Sequence, residues 1–225
     1  MSLTQPQFNT LSRAASLCVL AGAIIGIGCA TINVDPPPDN TAATVWRPAA
    51  NKGDAVAQLQ MALGYQSGVG GLPQDSKQAL HYLELSASNG NAAAQMMLAD
   101  ALLKGQWGLQ PDQTRGRALL EQAAAQTPVA AYRLGDLLSS GAVLPQDLPA
   151  AMRWYEHAAR SGYRFAAWRL AQLKEASPDS QVEAYAWYIA SDSSEDAARV
   201  LARLPAANQP QARLRAAQLL RELKR

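Results

Sequence analysis

Side chains that commonly act as nucleophiles or metal ligands are scarce in this chain of 225 residues. It has two cysteines, Cys18 and Cys29, and two histidines, His81 and His157. Two cysteines cannot build a disulfide-rich scaffold or a four-cysteine zinc site. The two histidines fall at different places in the repeat described below. We therefore expect them to face solvent or to pack, and not to form a metal site or a proton relay.

Three aspartates are the other candidates for metal chemistry. Asp75, Asp112 and Asp147 follow one another at intervals of 37 and 35 residues, each with a proline one or two residues before it. An aspartate just before a helix accepts hydrogen bonds from the free N–H groups of the first turn, so we interpret the three as helix N-caps. Phosphate-loop, zinc-protease and serine-nucleophile motifs do not occur in the sequence. We expect a non-enzymatic protein with no cofactor and no metal.

The overall charge is close to neutral. Twenty basic residues stand against 18 acidic ones, whereas nucleic-acid-binding proteins carry a strong basic excess. Apolar residues make up 48% of the chain, which is enough for a sizeable core. This composition argues against a nucleic-acid partner and for a folded domain.

The first thirty residues are typical of a bacterial export signal. Arg13 precedes a charge-free run of apolar and small residues from 14 to 28, which is short for a membrane span of about 20 residues. The sequence around Cys29 resembles the bacterial lipobox, in which a cysteine after a small residue becomes lipid-modified, although Gly26 replaces the usual leucine. We predict a signal peptide at 1–28 and lipidation of Cys29.

An uncleaved signal anchor is the alternative. The charge-free stretch from 14 to 32 contains 19 residues, which is long enough to span a membrane. In both cases Arg13 stays inside, so the rest of the chain faces the periplasm. Ala30 after Cys29 implies sorting to the outer membrane by analogy with lipoproteins in general. A signal anchor would instead keep the protein in the inner membrane.

We interpret residues 29–50 as a lipid-anchored, flexible, proline-rich tether. The segment from Asp35 to Asn40 contains three consecutive prolines, which fix φ and lack an N–H and therefore exclude a helix or a central strand. Consecutive prolines favour an extended spacer. Such a spacer would hold the following domain away from the bilayer.

The rest of the chain is built on a repeat of about 36 residues. Gly68, Gly105 and Gly141 are 37 and 36 residues apart, and one of the three aspartates follows each glycine by six or seven residues. Segment 92–103 has apolar or small residues at helical spacing, which predicts a helix that ends at Gly105 in a left-handed cap. A second helix follows each aspartate, as at 148–161. Because one helix pair cannot bury both its apolar faces, neighbouring pairs must stack.

These patterns resemble the Sel1-like repeat (SLR), a relative of the TPR. The resemblance rests on the loop from Gly68 to Asp75, on Ala-x-x-Trp-Tyr-x-x-Ala-Ala-x-x-Gly at 151–162, and on the ending at 182–188. It covers about residues 53–191 and departs from the family at Gly116, which takes an alanine position. The implied fold is all-α, an α-α superhelix (solenoid) of about four helix pairs with C-terminal capping helices.

The predicted organisation divides the chain into four parts. They are the signal peptide at 1–28, the tether at 29–50, the solenoid at 51–191 with units at about 54–90, 91–127, 128–162 and 163–191, and basic capping helices at 192–225.

The C-terminal part is basic. From Arg199 onward there are seven basic residues and one acidic residue. We predict helices at 195–203 and 210–224, the second with Leu214, Ala217, Leu220 and Leu223 on one apolar stripe. Two interpretations stay open, a solvated capping helix or a contact with an acidic partner or anionic surface. The candidate partner-binding residues are Arg213, Arg215 and Arg221 of this helix and Trp107 of the second loop, for which loop packing is the alternative.

The expected function is a scaffold or adaptor in the bacterial envelope that binds a protein or peptide on the solenoid. The resemblance implies adaptor roles in secretion or exopolysaccharide-export assemblies, and no nucleic-acid partner. One alternative is a β-lactam-binding or β-lactam-hydrolysing SLR enzyme, but this chain lacks the paired cysteines of those relatives. The other is an assembly factor that docks through its C-terminal basic helix.

Overall fold

The computed structural model describes residues 42–224, the side chain of Ala42 excepted. Within this range all regular structure is helical: eleven α-helices and two 3₁₀ turns at Pro178–Ser180 and Ala206–Asn208. The α-helices are α1 (Ala42–Ala50), α2 (Ala55–Ser67), α3 (Ser76–Ser88), α4 (Ala92–Lys104), α5 (Gln113–Ala124), α6 (Pro128–Ser140), α7 (Leu148–Arg160), α8 (Arg164–Glu175), α9 (Gln181–Ala190), α10 (Ser194–Arg203) and α11 (Gln209–Leu223).

The helices form repeated pairs. In each of the pairs α2–α3, α4–α5, α6–α7 and α8–α9 the two helices pack against each other, and each pair packs on the next. We call α2, α4, α6 and α8 the first helices and α3, α5, α7 and α9 the second helices. Helices α10 and α11 both pack on α9 and close the C-terminal end. The predicted fold class, an all-α solenoid of helix pairs with capping helices, is confirmed.

The turn chemistry explains why the helices begin and end where they do. The carboxylates of Asp75, Asp112 and Asp147 accept hydrogen bonds from backbone N–H groups at the starts of α3, α5 and α7, as predicted. Gly105 ends α4 with a φ of 65°, a left-handed conformation that costs glycine little. The second helix of the fourth pair has no such cap, because the side chain of Ser180, the residue before α9, makes no capping hydrogen bond.

Close approach of paired helices requires two glycines inside helices. A Cβ on Gly135 of α6 would lie 2.7 Å from Cε1 of the fully buried Tyr155 of α7. A Cβ on Gly116 of α5 would lie 2.9 Å from Leu103 and 3.2 Å from the carbonyl oxygen of Ala99. The departure at Gly116 therefore has a packing reason, because α4 and α5 could not approach this closely around an alanine.

The helix at the N-terminal end corrects the predicted boundary of the tether. Residues 42–50, which we assigned to the tether, form α1 and pack on α2. Ala50 is buried beside Ala57, Met61 and Leu72, and this burial stabilises a short helix that periodicity did not reveal. Pro48 lies in the last turn of α1, where it removes only one helical hydrogen bond. The predicted signal peptide, Cys29 and the proline run lie outside the described residues.

The apolar stripe predicted for the last helix is only partly covered, because Leu223 packs against the core but Leu214 and Ala217 are exposed. The buried residues of α11 are Ala212, Ala216 and Leu219, whereas Leu214 is 56% exposed. Small residues let α11 approach α9 closely, whereas hydrophobicity alone favours the larger leucines. Within residues 42–224 no helix combines the length and apolarity needed to cross a membrane.

Candidate binding surface

Exposed apolar residues recur at one position of the first helices. The second residue of α2, α4, α6 and α8 is Val56, Ala93, Val129 and Phe165, and all four side chains are exposed. We call these four residues the apolar row. Phe165 is 67% exposed, and Val56 and Val129 are about half exposed, at 54% and 48%. A single exposed apolar residue needs no explanation, but a repeated position on stacked helices makes a surface.

A cavity opens beside the last member of the apolar row. It has a volume of about 390 Å³ and is lined by Arg164, Phe165 and Trp168 of α8 and by residues 191–193 of the turn before α10. We call it the Phe165 pocket. Asp192 in this turn has a φ of 70°, and its carboxylate pairs with Arg164 at 3.3 Å. Because both side chains are largely exposed, this ion pair is weak and can yield to a ligand.

Aromatic rings connect the pocket to the core. The ring centroids of Tyr132 and Tyr163 are 5.0 Å apart, and those of Tyr163 and Phe165 are 6.2 Å apart. Trp168 donates its indole N–H to Asp196 of α10 at 3.0 Å. The rings near the pocket are therefore held in place before any ligand arrives, which lowers the entropy cost of binding.

Ion pairs at matching positions join successive first helices. The Nε of Arg133 in α6 donates to Asp100 in α4 at 3.0 Å, and the Nε of Arg169 in α8 donates to Asp136 in α6 at 3.3 Å. In both pairs the partners are 33 residues apart. We call them the ion-pair ladder. It neutralises the charges beside the apolar row, so this part of the surface offers apolar contacts.

Two buried tyrosines of the second helices are hydrogen-bond donors to carboxylates of the first helices. The hydroxyl of Tyr155 donates to Asp136 at 2.6 Å, and that of Tyr188 donates to Glu175 at 2.8 Å. Burial, and next the hydrogen bond to the carboxylate, raises the pKa of each tyrosine to about 12. Both phenols therefore stay protonated at neutral pH, and each ties a second helix to a carboxylate of a first helix.

Glu175 is the centre of a charged cluster between α8 and α10. Its carboxylate accepts hydrogen bonds from Tyr188, Arg199 and Arg203. Burial alone would raise the pKa of Glu175, but the hydrogen bonds from Arg199 and Tyr188 outweigh it and lower the pKa. The carboxylate of Glu175 is therefore ionised at neutral pH and accepts hydrogen bonds from all three side chains.

The structure does not bring the predicted partner-binding residues together. Trp107 is half-buried and packs with the apolar cluster of α2, α3 and α4, in agreement with the loop-packing alternative. The arginines lie on α11, which packs on α9 at the other end of the array. Arg215 is engaged by Glu183 and Glu222, and Arg221 donates to the carbonyl oxygen of Ala217. Arg213 is exposed and has no hydrogen bond or ion pair with a residue that the structure describes.

The two histidines are exposed and lie in different units. His81 makes an edge contact with Tyr82, and His157 makes one with Trp154. Among residues 42–224 no group of three or more His, Cys, Asp or Glu side chains is placed to hold a metal ion.

Sequence reasoning missed the apolar row. Its signal was present, because the four residues follow one another at intervals of 37, 36 and 36. The glycines, aspartates and core residues of the repeat mark the fold, whereas the exposed positions at the same spacing carry no structural signal of their own.

Known proteins resemble the chain in both sequence and fold. The profile of the Sel1 repeat family matches three segments, 55–91, 92–127 and 128–163. A Sel1 repeat protein from Oxalobacter formigenes is 32% identical, with a TM-score of 0.52, and the match covers 57% of this chain and 96% of that protein. No curated protein matches the sequence significantly.

A second solved structure is similar to a larger share of this chain. It is a protective antigen present in uropathogenic Escherichia coli strains, it displays an SLR fold, and it is 25% identical with a TM-score of 0.53. The match covers 80% of this chain and 40% of the antigen, so the chain spans less than half of that protein's length. Sel1-repeat proteins are generally non-catalytic protein-interaction scaffolds. By its three matched repeats and its stacked helix pairs, the chain belongs to the Sel1 repeat family.

Proposed function

We propose that this protein is a non-enzymatic scaffold, anchored in the bacterial envelope, that binds a protein or peptide through the apolar row and the Phe165 pocket. The observation that carries the proposal is Phe165, an aromatic side chain that is 67% exposed beside a cavity of about 390 Å³. An exposed aromatic residue next to a pocket is a suitable anchor for a partner's apolar side chains.

The expected contribution of this anchor is large enough to measure. Burying a phenylalanine side chain stabilises a complex by roughly 1.5–3 kcal/mol. Since each 1.4 kcal/mol corresponds to about a tenfold change in Kd, losing Phe165 should weaken binding by at least about tenfold.

Site-specific photocrosslinking in cells tests the proposal. A photoreactive phenylalanine analogue at position 165 should give a discrete adduct with one envelope protein. Leu148 is the matched control, because it is also an exposed apolar residue near a helix start but lies on α7, a second helix. The same analogue at 148 should give no such adduct. Equal adducts at both positions, or none at 165 in a folded chain, would contradict the proposed surface.

Anchoring through Cys29 is tested independently. The proposal is supported by the export-type sequence before Cys29 and predicts a mature chain that begins at a lipid-modified Cys29. Mass spectrometry of the mature N-terminus distinguishes this form from the others. An unmodified Cys29, in a chain that is either cleaved elsewhere or uncleaved, would exclude the lipoprotein.

The non-enzymatic part of the proposal has its own test. The whole chain should not hydrolyse a chromogenic β-lactam, and measurable turnover would overturn the proposal that the protein is not an enzyme.

Docking through the C-terminal helix is tested by Arg213→Ala and Arg221→Ala. Deletion of 206–225 is unsuitable, because it would uncover the face of α9 on which Ala212, Ala216 and Leu219 pack. Binding that persists in the arginine variants supports the apolar row as the binding surface.

A further inference from the structure

A groove lies between the second helices α5 and α7. It consists of two adjoining cavities of about 400 Å³ and about 480 Å³, both lined by Arg117 and Glu121 of α5. Leu144 and Pro145 contribute to the first cavity, and Trp154 contributes to the second. We call this the α5–α7 groove. The distance from residue 113 to residue 121 along α5 is about 12 Å, the length of roughly four residues of extended peptide.

The walls of the groove are fixed by contacts within the chain. The side-chain amide of Gln113 donates to the carbonyl oxygen of Val143 at 2.8 Å and ties the start of α5 to the α6–α7 loop. The indole of Trp154 makes an edge contact with His157, with centroids 6.0 Å apart. A ligand would therefore meet a preformed site.

The charges around the groove favour a carboxylate. Two arginines, Arg117 and Arg153, and one glutamate, Glu121, line the two cavities, an excess of one positive charge. The carboxylate of Glu121 is already paired with Arg117 at 2.8 Å.

Two arginines of the groove have guanidinium N–H groups that make no hydrogen bond with residues 42–224. Arg153 lines the second cavity, is exposed, and has no hydrogen bond or ion pair with any residue between 42 and 224. Arg117 gives only its Nε to Glu121, at 2.8 Å, so within the same range its terminal nitrogens are not used. Guanidinium groups with available N–H donors bind carboxylates well.

We infer that the α5–α7 groove binds an extended segment of another protein in which an acidic side chain lies close to an apolar one. The carboxylate would meet Arg153 and Arg117, and the apolar side chain would pack on Trp154 and Leu144. A peptide fits better than an anionic polysaccharide because the floor, formed by the buried Leu144 and Ala150, is apolar. This site goes beyond the proposed function and does not depend on the Phe165 pocket.

Peptide selection tests the inference. A random dodecapeptide phage library is selected on the immobilised whole chain, and binders that also bind the Arg153→Ala variant are subtracted. We expect the remaining peptides to carry Asp or Glu within a few residues of an apolar side chain. In fluorescence-polarisation titrations, Arg153→Ala should weaken binding of the best peptide by about tenfold, the size expected for a charge-assisted hydrogen bond.

Matched variants make the result specific. Arg213→Ala removes another exposed, unpaired cation and should leave the affinity within about twofold, and Phe165→Ser should do the same. Arg153→Glu should abolish binding, and a peptide with lysine in place of its acidic residue should restore it. Circular dichroism of each variant checks that it is folded.

Several results would overturn the inference. They are the absence of Arg153-dependent peptides, a selected set without acidic residues, equal weakening by Arg213→Ala, or no rescue by the charge-swapped pair. Tighter binding of an alginate hexasaccharide than of the best peptide at the same groove would also overturn it. Loss of binding in Phe165→Ser alone would assign the peptides to the Phe165 pocket and not to this groove.

Discussion

At the scale of single residues, carboxylates do structural work in this protein. Asp112 caps a helix, Asp136 holds Tyr155, and Glu175 accepts hydrogen bonds from one tyrosine and two arginines. The caps were predictable because an aspartate shortly after a glycine and a proline indicates the start of a helix, and this pattern lies within a few residues of the sequence. It could not predict the roles of Asp136 or Glu175, whose partners are 13 to 33 residues away.

The lowered pKa of Glu175 predicts a pH dependence of stability. The ordinary pKa of this group is 4.5 and the folded-state pKa lies below it, so the ionised carboxylate stabilises the fold above that value. This contribution should be lost as the pH falls below 4.5 through the lowered folded-state pKa. Glu175→Gln should therefore flatten the acid limb of a plot of unfolding free energy against pH. Glu195→Gln changes an exposed glutamate of α10 and is the control. It should leave the pH dependence of the unfolding free energy in acid unchanged.

Gly135→Ala should destabilise the protein. The new Cβ would lie 2.7 Å from the ring of Tyr155, which is fully buried and whose hydroxyl is bound by Asp136. We expect the free energy of unfolding to fall by roughly 1–3 kcal/mol in urea titrations, the usual cost of overpacking, despite the better helix propensity of alanine. Ser140→Ala, an exposed change on the same helix, should alter it by less than about 0.5 kcal/mol. Wild-type stability of Gly135→Ala would show that the helices do not pack as described.

At the scale of elements, the repeat was predictable where the sequence marks it with glycine, proline and aspartate. The loops before α3, α5 and α7 carry these marks, and the helices start at the expected aspartates. Helix α1 carries no such mark and is stabilised by burial of Ala50 beside Leu72, residues that are distant in the sequence. The covered face of α11 could not be predicted for the same reason, since its packing on α9, and not the local sequence, determines which residues of α11 are buried.

Removal of an N-cap tests the predicted element boundaries. Asp112→Ala leaves the N–H of Arg115 without the carboxylate that it now contacts at 2.9 Å. The free energy of unfolding should fall by about 1 kcal/mol, the usual cost of losing such a cap. Asp112→Asn keeps an acceptor and should be nearly neutral. If the two variants are equally destabilised, the capping role is wrong.

At the scale of the whole molecule, burial between units should outweigh the ion-pair ladder. Arg133 and Asp100 are partly exposed, so a double-mutant cycle on this pair should give a coupling below about 1 kcal/mol. Leu134 beside Arg133 is fully buried, and Leu134→Ala should cost about 2–5 kcal/mol. Urea unfolding of these variants decides which interaction joins the units. A coupling energy as large as the loss of stability in Leu134→Ala would show that the ion-pair ladder, and not burial, joins the units.

The apolar row illustrates what the sequence can and cannot give at this scale. A period of about 36 residues established that helix pairs stack, and this made the solenoid predictable. The row itself is a surface property, and exposure of Phe165 depends on which neighbours the stacking leaves uncovered. Its residues could be read from the repeat only after the first helices were placed side by side.

The most direct test of the account is the affinity of the whole chain for the protein captured at position 165, measured for the wild type, Phe165→Ser and Leu148→Ser. The account predicts that Phe165→Ser raises Kd by at least about tenfold, because the anchor loses roughly 1.5–3 kcal/mol of burial. Leu148→Ser, on a second helix, should change Kd by less than about twofold. Equal Kd values for the wild type and Phe165→Ser would contradict the claim that partners bind through the apolar row.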